Sequence, residues 1–140
     1  MKQTAIYGLI ALSILMSGCK EKNNRNPYLN EVSFRKEINT DLPRYSSLKY
    51  AGNAVYIPDG GIKGFFLFNT GNGYNAFEAS DPNHYPSDCS RMQLNNQQVQ
   101  CPCEGNTYNL LNGSPVNNNL DYPLKAYHVT VNGNTIIVYN

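Results

Sequence analysis

The chain has 140 residues, enough for one domain beyond its N-terminal segment, and its formal net charge of +1 excludes the strongly basic surface typical of nucleic-acid binding. Only two histidines are present, which leaves little scope for imidazole in metal ligation or acid–base chemistry. Eleven tyrosines, and many Gly, Asn and Pro residues between short apolar runs, favour an all-β fold.

The N-terminal segment predicts export. Residues 5–16 form an apolar run of the length of a signal-peptide core, followed by Ser17-Gly18-Cys19. The small residues before Cys19 resemble the cleavage box of bacterial lipoproteins, and the resemblance implies a signal peptide over residues 1–18 and a lipidated Cys19 that carries acyl chains such as palmitate. Residues 19–30 would be a flexible tether. Lys20-Glu21, directly after Cys19, resembles the surface-export signals of Bacteroidetes lipoproteins, and the resemblance implies a place on the outer membrane, facing the periplasm or the surface.

Residues 31–140 predict a domain of short strands separated by turns. Its strongest local signal is Asn132-Gly133 between β-branched runs, which is typical of a β-hairpin. No helix is expected after the signal peptide, and the fold class is an antiparallel β-sandwich or small barrel with two longer loops. The predicted strands cover residues 31–38, 45–50, 54–57, 64–68, 74–79, 92–94, 98–100, 108–111, 125–131 and 135–139.

The second of these loops carries a family resemblance. Cys101-Pro102-Cys103-Glu104-Gly105, followed by Tyr108-Asn109-Leu110, resembles the Cys-Pro-Cys-His-Gly loop of Rieske iron–sulfur domains. The resemblance implies a Rieske-like sandwich with two loops at one end, and in that family the [2Fe–2S] cluster is held by two cysteines and two histidines. Cys101 keeps one ligand position, whereas Glu104 replaces the second-loop histidine.

The first loop, residues 80–91, can be matched to the family's Cys-x-His pattern in two registers. In one, His84 keeps the histidine position and Pro82 replaces the cysteine. In the other, Asp81 replaces the cysteine and Asn83 replaces the histidine. Both registers leave at most two of the four ligands, so the expectation from the sequence is that the chain has no cofactor and, in particular, no [2Fe–2S] cluster.

The remaining cysteines predict a disulfide. In Rieske proteins of cytochrome bc complexes an additional cysteine in each loop joins the two loops, and by resemblance the pair here is Cys89–Cys103, with Cys89–Cys101 as the alternative. If a metal were held, its ligands would be His84 or Asp81 with these three cysteines, a set suited to zinc. An oxidising compartment favours the disulfide over zinc.

No combination of nucleophile, base and orienting group can be named from the sequence, so the chain is not expected to be an enzyme. The predicted role is structural or interaction-based, as an accessory subunit of an envelope protein complex that is held to the membrane by its lipid anchor. The alternative is a redox or metal protein that serves a membrane electron-transfer partner.

Overall fold

The computed structural model describes residues 25–117 and 119–140. The predicted signal peptide (1–18), the lipidated Cys19 and the tether up to residue 24 lie outside the described residues. Among the helices of the described part, none is long and apolar enough to cross a bilayer. Residues that were assigned to the tether nevertheless contact the domain, since Leu29 is buried in it.

A six-stranded antiparallel sheet, curled into a half-barrel, forms most of the domain. The bounds of its strands are β1 Arg35–Asn39, β2 Ala54–Ile57, β3 Phe65–Asn69, β4 Tyr74–Glu78, β8 Ala126–Asn132 and β9 Thr135–Tyr139. Their spatial order is β1-β9-β8-β4-β3-β2. The prediction of an all-β fold of antiparallel sheets is confirmed.

A second, three-stranded sheet packs against one face of the first. Its strands are β5 (Gln93–Asn95), β6 (Gln98–Gln100) and β7 (Thr107–Asn109), in that order. The two predicted loops precede β5 and follow β6. Because β4 leads into the first loop and β6 into the second, the sheets bring both loops to the same end of the molecule.

The continuous apolar sequence of β3 is explained by burial on both faces. Phe65 and Leu67 point into the concave core of the half-barrel, whereas Phe66 and Phe68 point into the core between the two sheets. Alternate residues of a strand face opposite sides, so a central strand with two covered faces needs an apolar residue at every position.

One predicted strand is wrong. Of the predicted strand 45–50, all but the last residue belong to a 3-10 helix, Pro43–Lys49, which also contradicts the expectation of no helix after the signal peptide. Tyr45 and Leu48 are its buried side chains. Their spacing of three residues places both on one face of a 3-10 helix, whereas in a strand they would face opposite sides. Pro43 at the start supplies the fixed φ that suits a first helical turn.

The large sheet is joined at its middle by very few pairs. β4 and β8 pair only at Ala76–Tyr127 and Phe77–Ala126, and the amide of Glu78 adds one hydrogen bond of 2.9 Å to the carbonyl of Lys125. Beyond these pairs the two strands diverge. A groove of about 420 Å³ opens between them, and residues 111–112 form part of its wall.

Candidate functional site

The candidate site lies where the first loop, residues 80–91, meets the second, residues 101–106. The second loop is a tight turn in which the Gly105 amide donates to the Cys101 carbonyl over 2.9 Å. Gly105 has φ of +73°, a left-handed conformation that glycine adopts without steric cost. The left-handed backbone of this turn therefore explains why position 105 of the motif is a glycine.

A disulfide joins the two loops. It connects Cys89 to Cys103, with a Cα–Cα distance of 5.2 Å, and this is the pairing that the sequence favoured. Among the described residues, Cys101 is the free cysteine, and it is buried. The hydroxyl of Ser87 lies 3.6 Å from the Cys89 sulfur and 3.8 Å from the Cys103 sulfur.

The carboxylate of Asp81 is the centre of a buried hydrogen-bond network between the loops. Its Oδ1 accepts from the Tyr108 hydroxyl at 2.6 Å and from the backbone N–H of Asn83 at 2.9 Å. Its Oδ2 accepts from the side-chain amide of Asn106 at 2.8 Å. Asp81 is fully buried. A buried charge needs such donors, because an unpaired carboxylate would lose its hydration without compensation.

Asn83 faces inward as well. Its side-chain nitrogen donates to the Tyr108 hydroxyl and to the Tyr122 carbonyl, each at 2.8 Å, and its side-chain oxygen accepts from the Tyr122 amide at 3.0 Å. Every polar atom of this side chain is therefore used within the protein. The first loop is tied through it to the segment before β8.

The environment of Cys101 disfavours its thiolate. Burial, followed by a hydrogen bond to the Asp81 carboxylate, raises the pKa of the Cys101 thiol to about 11, while the backbone amides of Cys103 and Glu104 act in the opposite direction. Burial and Asp81 likewise raise the pKa of Tyr108 well above its usual range. At neutral pH both groups are protonated and donate hydrogen bonds.

His84 and Glu104 lie at the outer surface of the loops. The His84 Nε2 is 3.8 Å from Glu104 Oε1, and His84 Nδ1 is 2.6 Å from the Tyr85 carbonyl. Pro82 is buried, and its carbonyl accepts from the Asn26 side chain at 2.8 Å. The structure thus brings Asp81 close to Cys101, and His84 close to Glu104.

The donor set does not fit the metal groups considered from the sequence. A Rieske cluster needs two thiolates and two imidazoles, whereas the groups at these loops are one protonated thiol, the single imidazole of His84, an amide that is fully hydrogen-bonded, and two carboxylates. Cys89 and Cys103 are consumed by the disulfide. Within residues 25–117 and 119–140 there is no group of three or more His, Cys, Asp or Glu side chains that could hold a metal ion.

The chain resembles solved ferredoxin structures in fold. No family model matches it, and no curated protein matches it. A chain from the complex of reduced oxygenase and oxidized ferredoxin in carbazole 1,9a-dioxygenase superposes with a TM-score of 0.50 at 19% identity, over 79% of this chain and 94% of that one. The fold is therefore Rieske-like, as the resemblance implied.

Two further structures were found with lower TM-scores. The ferredoxin of carbazole 1,9a-dioxygenase from Nocardioides aromaticivorans IC177 gives 0.48 at 15% identity, over 77% of this chain and 97% of that one. A protein provisionally described as the NADH-dependent nitrite reductase small subunit from Mycobacterium tuberculosis gives 0.47 at 20% identity, over 79% and 97%.

This comparison corrects one expectation. The chain was expected to have no cofactor, and that prediction is contradicted, because Rieske-type ferredoxins, whose fold it shares, bind a [2Fe–2S] cluster. The prediction counted ligand residues and gave no weight to the fold that surrounds them. The mismatch of the donor set is a property of these side chains.

Sequence reasoning missed three residues that organise this end of the domain. Asn106 and Tyr108 donate hydrogen bonds to Asp81; Asn106 is the last residue of the second loop, and Tyr108 follows two positions later. Glu78 is a second fully buried carboxylate, which accepts from the amides of Ile62, Lys63 and Ser80 and from the Tyr127 hydroxyl. A signal was present for Glu78, since a carboxylate beside Phe77 and Ala79 in an apolar strand suggests an inward-facing charge.

Proposed function

We propose that the chain is an accessory, interaction-type subunit of the cell envelope, anchored by lipid at Cys19, that presents the joined loop end of its Rieske-like domain to a partner protein. The observation that carries the proposal is the cross-linking of the two loops. The Cys89–Cys103 disulfide closes them on one side, and Asp81 holds donors from both loops beneath it.

Cross-linked loops suit a binding surface. A partner that docks on them does not have to order them first, so less conformational entropy is lost on association than with free loops. The exposed side of this surface includes Pro102 and Glu104, an apolar and a charged group of kinds that are common at interfaces between proteins.

Affinity capture from detergent-solubilised membranes tests the role. The full-length protein is expected to retain an envelope protein in stoichiometric amount, and Cys103→Ser, which opens the loops, is expected to lose it. Tyr50→Ser is the matched control, because Tyr50 is exposed and lies beyond the far end of β3. Equal retention by all three proteins, or capture of no protein in stoichiometric amount, would argue against the accessory role.

A second candidate function is electron transfer with a membrane partner. The ferredoxin fold favours it, as does Cys101, which stands at one cluster position of the Rieske pattern. The purified mature protein distinguishes the two candidates through its visible spectrum, its iron and zinc content and its free thiols. A coloured protein with about two irons per chain would favour electron transfer. A colourless protein with one free thiol favours the accessory role.

A further inference from the structure

Three tyrosine rings form a cluster beside the first loop. Tyr28 packs edge-to-face against Tyr85, with ring centroids 4.8 Å apart, and against Tyr122, with centroids 6.1 Å apart. Tyr85 is 66% exposed, although its neighbours cover one side of the ring. We refer to Tyr28, Tyr85 and Tyr122 as the tyrosine cluster. Neither the hydrogen-bond network around Asp81 nor the proposed partner-binding surface explains why Tyr85 is exposed.

The N-terminal segment joins the domain at this cluster. Asn26 donates to the Pro82 carbonyl of the first loop, and its side-chain oxygen accepts from the amides of Tyr28 and Leu29 at 2.8 and 3.3 Å. Leu29 is buried immediately afterwards. The point at which the described chain begins is therefore fixed against the first loop by both side-chain and backbone contacts.

The length of chain before this point limits how far the cluster can lie from a lipid anchor. Residues 20–24 separate Cys19 from Arg25, so the two Cα atoms are six residue steps apart and can be separated by at most about 20 Å. A folded domain of about 110 residues is wider than this, on the order of 30 Å. A tether shorter than the domain keeps the attached side towards the membrane and leaves the opposite side in solvent.

Tyrosine is well suited to that position. Its ring is apolar and its hydroxyl is polar, and tyrosines are enriched at the level of the lipid headgroups. Arg25 and Tyr122 also line a hollow of about 200 Å³ next to the cluster. Acidic residues Asp88 and Asp121 are exposed nearby, so the attraction would come from the aromatic rings more than from charge.

We infer that the tyrosine cluster is a membrane-contact site, which rests on the headgroup layer of the bilayer that holds the lipid of Cys19. The inference rests on the proposed lipid anchor and adds an orientation to it: Tyr28 and Tyr85 face the bilayer, and the start of β4 faces away. The anchor and the cluster together give two attachment points, which restrict the rotation of the domain about its tether.

Tryptophan fluorescence tests the inference directly, since the chain contains no tryptophan. Tyr85→Trp and Tyr50→Trp are each made in the full-length lipoprotein and placed in phosphatidylethanolamine–phosphatidylglycerol vesicles that contain brominated lipid. Tyr50 is the matched control at 70% exposure. The expected result is loss of fluorescence for Tyr85→Trp by bromine quenching and unchanged fluorescence for Tyr50→Trp. If Tyr85→Trp melts below the parent protein, Tyr28→Trp replaces it as the reporter.

The outcomes separate this inference from the proposed anchor. Mass spectrometry of Cys19 and fractionation of the membrane establish lipidation first, and a non-lipidated, soluble protein overturns both proposals. A lipidated protein in which neither tryptophan, or both equally, are quenched overturns the membrane-contact site and leaves the anchor standing. A blue-shifted but unquenched tryptophan at position 85, as expected if a second copy covers the cluster, also overturns it.

Discussion

Tyr108, in the strand that follows the second loop, donates a 2.6 Å hydrogen bond to Asp81, near the start of the first loop. The two residues are 27 positions apart, and both are fully buried. The bond therefore crosses between the loops at the level where the two sheets meet. The Asp81 carboxyl group is thereby placed in the interior, where it is hydrogen-bonded by donors from two segments, Asn83 in the first loop and Asn106 and Tyr108 further along the chain.

Asp81→Asn is expected to destabilise the domain strongly. The amide would keep the shape of the carboxylate but would direct N–H groups towards the donors of Tyr108 or Asn106, so buried groups would lose their partners. The expected loss in the free energy of unfolding is about 3 kcal/mol, measured by urea denaturation. Asp59→Asn removes an exposed carboxylate bonded to Lys36 and serves as the control, with a loss below about 1 kcal/mol. Equal losses would show that Asp81 holds no special network.

Reduction of the disulfide should also lower stability. Cys89 and Cys103 are 14 positions apart, and closing a loop of that size stabilises a folded protein by about 3 kcal/mol in the chain-entropy treatment. Urea denaturation with and without a reducing agent measures the difference. Cys103→Ser should unfold at the same urea concentration as the reduced parent and should not respond to the reducing agent. A response in that variant would point to a different pairing.

Stability is expected to fall between about pH 9 and 11. The pKa of Cys101 is raised in the folded protein from 9.0 to about 11, so the folded state holds its proton more tightly than the unfolded chain does. The stabilisation is complete below pH 9, is lost as the pH rises through 11, and is on the order of 2 kcal/mol. The raised pKa values of Tyr108 and Tyr127 act in the same direction above pH 10.

Thermal melting at a series of pH values measures this loss. Cys101→Ala is the informative comparison, because it removes the thiol and should flatten the curve between pH 9 and 10, where the tyrosines contribute least. An unchanged slope in Cys101→Ala would assign the alkaline instability to other groups.

Two glycines with similar backbones should respond differently to alanine. Gly61 and Gly133 have φ of +66° and +58°, so alanine costs about 1 kcal/mol at either position from backbone strain alone. At Gly61 a Cβ would also overlap the carboxylate of Glu78 and the hydroxyl of Tyr127, whereas at Gly133 it would meet nothing. Gly61→Ala is therefore expected to cost at least about 3 kcal/mol in urea denaturation. Similar losses for the two variants would exclude a tight contact at Glu78.

Most of the strands could be predicted from the sequence because strands and turns leave patterns that extend over only a few residues. Period-two alternation, turn residues and the Asn132-Gly133 hairpin each act over a few positions, and the structure has β8 and β9 with pairing through Asn132–Thr135. Residues 45–50 were predicted as a strand, whereas the spacing of three between Tyr45 and Leu48 suits the 3-10 helix that the structure has there. In such short segments the packing of the rest of the fold decides the outcome.

The arrangement of the candidate site could be predicted only in part. The motif at Cys101 indicated which loops would meet, but the partners of Asp81 depend on how the two sheets pack. Asn106 and Tyr108 have ordinary positions in the sequence, and only the tertiary structure turns them towards a buried carboxylate. The ligand count also led to the wrong prediction about cofactors, because it treated the loops apart from the fold that carries them.

The narrow junction between β4 and β8 has a mechanical consequence. The connection consists of two residue pairs and the Glu78–Lys125 hydrogen bond. It divides the sheet into two halves, one formed by β1, β9 and β8 and the other by β2, β3 and β4. Bending about this junction would leave the hydrogen bonds between strands within each half intact. Amide hydrogen exchange should consequently show two sets of protected amides, one in each half of the sheet, with the hinge between Ala76 and Tyr127. The hydrogen bond from the Tyr127 hydroxyl to the Glu78 carboxylate joins β8 to β4 and would limit the opening.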